Sequence, residues 1–235
     1  MLRLLAGLAV LLVACQPGGS TSSGFASGSA VAEVDGDELI GAFLELVTSD
    51  EFTANTEMSG VLSAGALQVG IEASGSLAGR DGTMTLKLNT VSDNLEFEAT
   101  FVGEYGYARL LGGTWQRLPR AEVNTSGAQL DSFEFLTSAD DLRYDGTATH
   151  DGLDVHVLTN TRPLDLDPEQ GATGEVTRLR ILVLADGTPV FLTYHMTVSI
   201  NGPGGDKVVA RGDIEQSFTD VGDPIVIEPP TDFVE

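Results

Sequence analysis

Val190-Phe191-Leu192-Thr193-Tyr194-His195-Met196-Thr197-Val198-Ser199-Ile200 decides the fold. Every second residue, from Val190 through Leu192, Tyr194, Met196 and Val198 to Ile200, is apolar. A strand has a side-chain period of two, so these six residues share one face. Such a stretch predicts a long strand with one buried face, and a face this long needs other strands beside it and something to cover it.

Neighbours with the same period lie on both sides. Thr83–Thr90 places Met84, Leu86 and Leu88 on one face, and Leu95–Val102 does the same with Leu95, Phe97, Ala99 and Phe101. Phe52–Ser63, Leu67–Ala78, Tyr105–Leu111 and Thr114–Leu118 complete a first run of strands. Arg143–His150, Leu153–Thr159, Thr177–Leu184 and Lys207–Phe218 accompany the long strand in a second. Arg80-Asp81-Gly82, Gly112-Gly113, Asp151-Gly152 and Asp186-Gly187-Thr188-Pro189 are turn signals. Asp151-Gly152 suits a type I′ hairpin. Arg162–Gly174 reads as a loop, and Pro224–Ile227 as a last short piece.

Two stretches carry helical spacing instead. Asp35 and Glu38 form a capping-box-like start to a helix bearing the stripe Ile40, Phe43, Leu44 and Val47. Leu130, Phe133, Leu136 and Ala139, three apart, predict a second helix within Ser126–Leu142. The expected fold is therefore α+β: one curved antiparallel sheet of about ten strands, a half-barrel wrapped over two helices.

The N-terminus has its own pattern. Arg3 precedes an apolar run, Leu4 to Ala14, which ends in Leu12-Val13-Ala14-Cys15. The run is well short of the roughly 20 residues of a membrane span and reads as a secretory signal. Cys15 is the only cysteine, and its context resembles the lipobox of bacterial lipoproteins. That resemblance implies cleavage before Cys15 and acylation there. It places the protein on the extracytoplasmic face of the cell membrane, held by its lipid anchor. Residues 1–14 are then the signal, 15–33 the lipidated Cys with a Gly/Ser-rich tether, and 34–235 the folded domain. The tether's 17 residues Gln16–Ala32 have an r.m.s. reach of roughly 20–25 Å.

Composition narrows the partners. The 235 residues hold 35 Asp and Glu against 12 Lys and Arg, a formal charge of −23. Nucleic acid is excluded as a partner on that balance, and a basic lipid-binding patch is not expected. Size suits one domain, taken to be a monomer.

Several stretches together resemble the LolA-like half-barrel lipoproteins, and within them the mycobacterial LppX/LprG type. Gly113-Thr114-Trp115 is similar to their glycine-x-Trp hairpin. Gly146-Thr147 through Gly152, followed by Leu153–Val157, is similar to a glycine-threonine turn-and-strand unit. Asp186-Gly187-Thr188-Pro189-Val190 resembles the turn into their long strand. Phe218 to Pro229 resembles their aromatic, turn, strand and proline ending. The resemblance implies a carrier of lipids or acylated glycolipids in an apolar cavity, with an envelope transporter as a further partner, no catalytic residue and no cofactor.

The candidate cavity wall is Leu86, Leu88, Phe97, Phe101, Val155, Val157, Ile181, Val183, Leu192, Tyr194 and Met196, covered by Ile40, Phe43, Leu44 and Val47. Met196 and Tyr194 are the residues expected nearest a lipid, since Met adapts to irregular apolar shapes. The alternative is a filled core in an envelope scaffold or sensor. No nucleophile motif, P-loop or zinc spacing occurs, and His150, His156 and His195 fall on separate strands. Asp165, Asp167 and Glu169 before Glu175 faintly resemble a calcium loop, but Gln170 stands where glycine is needed. No metal is expected.

Overall fold

The computed structural model describes residues 34–91, 93–124, 133, 136, 138–166, 172–201 and 207–234. Thirteen strands form one sheet: β1 Thr53–Ala64, β2 Leu67–Ala78, β3 Asp81–Thr90, β4 Asn94–Val102, β5 Tyr105–Leu110, β6 Trp115–Pro119, β7 Leu142–His150, β8 Leu153–Asn160, β9 Leu164–Leu166, β10 Ala172–Val183, β11 Pro189–Asn201, β12 Lys207–Thr219 and β13 Phe233–Val234. Their order is β13-β6-β5-β4-β3-β2-β1-β12-β11-β10-β8-β7, with β9 beside β10. All pairings are antiparallel except β13 on β6. Two meanders thus run outward from the central pair β1·β12.

Helix α1 spans Gly36–Val47. Asp35 caps it, its carboxylate accepting from the backbone N–H of Asp37 at 2.9 Å and of Glu38 at 3.3 Å. Twelve residues are marginal as a free helix, so its stability comes from its buried face. Leu39, Ile40, Phe43 and Val47 are that face, each contributing about 1.5–3 kcal/mol of burial.

The helix lies near one end of the strands, here called the upper end. Its start meets Tyr144 of β7, its middle meets the β10–β11 turn at Gly187, and the loop after it meets the β2–β3 turn, where Asp50 abuts Gly79. A single core cluster joins α1 to Leu142, Leu158, Ile181, Leu192, Phe218, Ala54 and Leu77, drawn from seven adjacent strands. Flat, seven strands span roughly 29 Å, while α1 is about 18 Å long and 10 Å across. The sheet therefore curls around the helix. It remains open, with β7 at one edge and β6 with β13 at the other.

Four expectations change. The sheet has thirteen strands rather than ten. Among the described residues only one helix exceeds five residues; the others are α2, Arg120–Asn124, and a 3₁₀ turn, Ala139–Asp141. Most of the proposed second helix lies outside the described residues, but Phe133 and Leu136 are buried in the core around α1, linked by a tight turn in which the Leu136 N–H donates to the Phe133 carbonyl at 2.8 Å. That turn brings two residues three apart onto the same core. Leu164–Leu166 inside the expected loop is a strand. The last short piece is Phe233–Val234 rather than Pro224–Ile227. There the chain returns to the far edge, and Phe233 packs on Tyr107 at 5.2 Å. Asp151 and Gly152 both have positive φ, 50° and 83°, as the type I′ turn requires.

Candidate functional site

Register sorts every side chain onto one of two faces. Opposed residues in an antiparallel ladder share a face, so two rows can be followed across the inner, helix-side face below α1. One runs Tyr194, Ile214, Gly60, Ile71, Leu88, Leu95, and the other Leu192, Gln216, Met58, Ala73, Leu86, Phe97, Leu110. Apart from the Gln216 amide these rows are apolar, and they continue the core beneath the helix.

Burial divides that face. Under α1 the residues are sealed: Ile181, Val183 and Leu192 are 0% exposed. Below it, Leu62, Val69, Leu88 and Ile214 form a buried floor, while Met58, Ile71, Leu86, Leu95, Tyr194 and Met196 are only partly covered. Tyr194 belongs to both clusters. Its surface is partly accessible, yet burial pushes its phenol up to about 12. The partly covered stretch of the inner face below α1 is here called the trough, and Tyr194 lies where it meets the sealed part. Toward β4–β6 the trough is bounded by Phe101, Ala99 and Val123 of α2, with Met84 and Phe97 against them.

The expected wall residues mostly converge there. Leu86, Leu88, Tyr194 and Met196 line the trough; Phe97 and Phe101 sit at its β4 side; Ile181, Val183 and Leu192 lie beneath α1 with Ile40, Phe43, Leu44 and Val47. Val155 and Val157 do not. They are buried on the opposite, outer face with Leu182, beside Ala148, Leu184, Val190 and Phe191. The inner residues of β8 are His156 and Leu158, because Leu158 pairs with Ile181 and Val157 with Leu182. The apolar phase of β8, Leu153, Val155 and Val157, is the outer one here, so periodicity alone points to the wrong face. His156 is tolerated inside because its Nδ1 hydrogen-bonds the Tyr144 hydroxyl at 3.1 Å.

Met58, Ile71, Val69 and Ile214 are additional inner residues, beside Met84 and Leu95 of the alternating faces of β3 and β4. The signal for Met58, Val69 and Ile71 in the sequence is weak, since β1 and β2 alternate them with small residues such as Gly60 and Ala73. Gly60 could take no Cβ, which would stand 2.5 Å from the Ile214 side chain.

The outer face is chemically different. It carries a groove of about 360 Å³ lined by Glu57, Ser59, Glu72, Lys87, Glu215 and Ser217 among others. Glu98 and Arg109, opposed across β4 and β5, form a bidentate ion pair with both N···O distances 2.7 Å. His195 lies 3.0 Å from Asp213, and His150 packs on Phe191 at 4.6 Å. No three His, Cys, Asp or Glu side chains among the described residues are grouped to hold a metal. Asp165 and Glu175 face each other on the β9·β10 ladder, and the residues between them at 167–171 lie outside the described ones. So do Cys15, the signal and the tether.

Neither a protein-family profile nor a curated protein matches this sequence. Among solved structures, a DUF1329 family protein from Desulfovibrio piger is 13% identical with a TM-score of 0.25, covering 79% of this chain and 90% of that one. A LolA superfamily protein from Nitrosomonas europaea is 10% identical with a TM-score of 0.30, covering 84% and 96%. At that similarity neither likeness assigns this chain a function.

Proposed function

We propose that this protein is a non-catalytic, membrane-anchored lipoprotein that binds or shuttles a lipid or acylated glycolipid in the trough below α1. The observation that carries the reading is the partial cover of Met58, Ile71, Leu86, Leu95, Tyr194 and Met196. A protein built only to be stable would seal those side chains as it seals Leu192. An acyl chain laid along the two inner rows would complete their burial, at about 0.8 kcal/mol per methylene. Three of the chain's four methionines, Met58, Met84 and Met196, lie on this face, where an unbranched side chain can adapt to different acyl shapes. The lipobox at Cys15 supports anchorage at the extracytoplasmic membrane surface, and the ligand's second partner would be an envelope transporter.

Displacement of a fluorescent fatty acid tests the reading. The parent protein is expected to bind the probe, and Met196→Trp, which fills the trough, to lose most of that binding with little change in apo melting temperature. A parent that takes up no probe, together with a clear drop in the melting temperature of Met196→Trp, would indicate a filled core and favour the scaffold reading, since overpacking a filled core costs about 1–3 kcal/mol.

A further inference from the structure

Two polar side chains interrupt the apolar inner face below α1, and the β-ladder brings them together. Leu192 pairs with Gln216 and Tyr194 with Ile214 across β11 and β12. Tyr194 and Gln216 are therefore diagonal neighbours on one face, at positions roughly 7–8 Å apart and within reach of each other's long side chains. On its other side Gln216 pairs with Met58 of β1. Leu192 is sealed and Gln216 is 6% exposed, while Tyr194 and Met58 are partly covered. The pair stands where the sealed core gives way to the trough.

That place asks for apolar residues. A buried carboxamide needs hydrogen bonds that a leucine at the same position would not. It donates two and accepts two, and a phenol can do both. The side chains around the pair, Leu192, Ile214, Met58 and Met196, carry no oxygen or nitrogen.

Charge is kept off the same wall. Below the upper turns, register puts every charged side chain of β10–β12 and β1–β4 on the outer face, Glu57, Glu72, Lys87, Arg178, Asp213 and Glu215 among them. A phosphate or carboxylate brought against Gln216 would lose its water and find no counter-ion on these strands. A neutral group would meet no such cost. Burial also pushes the Tyr194 phenol up to about 12, so it keeps its proton, and can donate it in a hydrogen bond, at any physiological pH.

We propose that Tyr194 and Gln216 form a polar pair that reads a neutral oxygen-bearing junction in the ligand, the ester and neighbouring hydroxyl of an acylated polyol, while the acyl chain lies along the trough. The ester carbonyl accepts from the Tyr194 hydroxyl or the Gln216 amide N–H, and the polyol hydroxyl donates to the Gln216 carbonyl. Apolar rows alone grip any chain of suitable length. A site that hydrogen-bonds an oxygen discriminates against the chain that lacks one. The inference rests on the lipid-carrier reading and narrows it from lipids in general to neutral acylated polyols.

Competition against the fluorescent fatty acid, in the full chain with Cys15→Ser, tests the pair separately from carriage. The competitors are 1-monooleoylglycerol, oleate and 1-octadecene, which share one chain length and differ in the polar end. Half-displacement by 1-monooleoylglycerol is expected at about tenfold lower concentration than by either of the others, the worth of one net hydrogen bond. Gln216→Leu and Tyr194→Phe should each cut that preference to about threefold or less, with displacement by octadecene unchanged. Should Gln216→Leu fail to fold, Tyr194→Phe decides alone. Equal displacement by all three in the parent, or a preference that survives the substitutions, would overturn the pair and leave carriage standing. So would variants that lose all three competitors together, since a merely structural pair supports the wall without reading the ligand. A parent that takes up no probe removes carriage, and this inference with it.

Discussion

The upper and lower halves of the inner face are made of the same kinds of residue and differ in what covers them. Above, α1 closes over Leu158, Ile181, Leu192 and Phe218, and Phe43 meets Phe133 edge-on at 5.3 Å. Below, Ile71, Leu86, Tyr194 and Met196 continue the same rows with no helix over them among the described residues. The upper half spends its apolar surface on stability. The lower half leaves part of it available, which is what a binding surface needs and a core does not. One strand, β11, serves both ends: Leu192 is core and Met196, four residues on, is wall.

That contrast predicts unequal costs for similar truncations. Phe43→Ala should be the most damaging, about 3–5 kcal/mol, because Phe43 is fully buried and packs edge-on against Phe133. Chemical denaturation reads it directly, and a cost under about 1 kcal/mol would mean that α1 does not hold the upper half closed. Leu192→Ala should follow at about 2–5 kcal/mol. Gly187→Ala comes next, at about 1–3 kcal/mol. Its φ is +88°, and a Cβ there would stand 2.7 Å from the Phe43 backbone nitrogen. Met196→Ala should cost least, about 1 kcal/mol or less, since its side chain is only partly covered. Equal costs for Leu192→Ala and Met196→Ala would erase the distinction between the halves.

Tyr194 sharpens the boundary by titration. Burial disfavours its phenolate and raises its pKa from 10.0 to about 12. The native state holds this proton more tightly than the unfolded chain, so the contribution is fully present below pH 10. It is lost as pH rises from about 10 to about 12. Tyr194→Phe should flatten that part of the stability profile. Ultraviolet titration, compared between the parent and Tyr194→Phe, should show the Tyr194 phenol ionising late, and its ionisation within the ordinary range would mean that the inner face is open to solvent at that point.

Much of this fold was legible from period alone. Val190–Ile200, Thr83–Thr90 and Leu95–Val102 are strands because one face of each is apolar, although Val190 itself packs with Phe191 in the outer cluster rather than beside Leu192. The capped stripe Ile40–Val47 is a helix for the same reason at a different period. Two things were not legible. Strand β8 turns its more apolar phase outward, and only its pairing with β10 shows that Leu158 faces inward and Val157 outward. The Phe133 and Leu136 spacing fits a helix or a buried turn, and tertiary packing decides. The cover over Met196 was hidden in principle, since sequence period gives the face of a residue and not what lies above it.

The central claim is that the lower half holds a lipid. Native mass spectrometry of the Cys15→Ser chain, purified without detergent, tests it most directly, because removing the anchor cysteine leaves only noncovalent lipid to be seen. A species heavier than the polypeptide by one lipid, lost from Met196→Trp, is the predicted result. Bare polypeptide mass in the parent, under conditions that preserve noncovalent complexes, would contradict it.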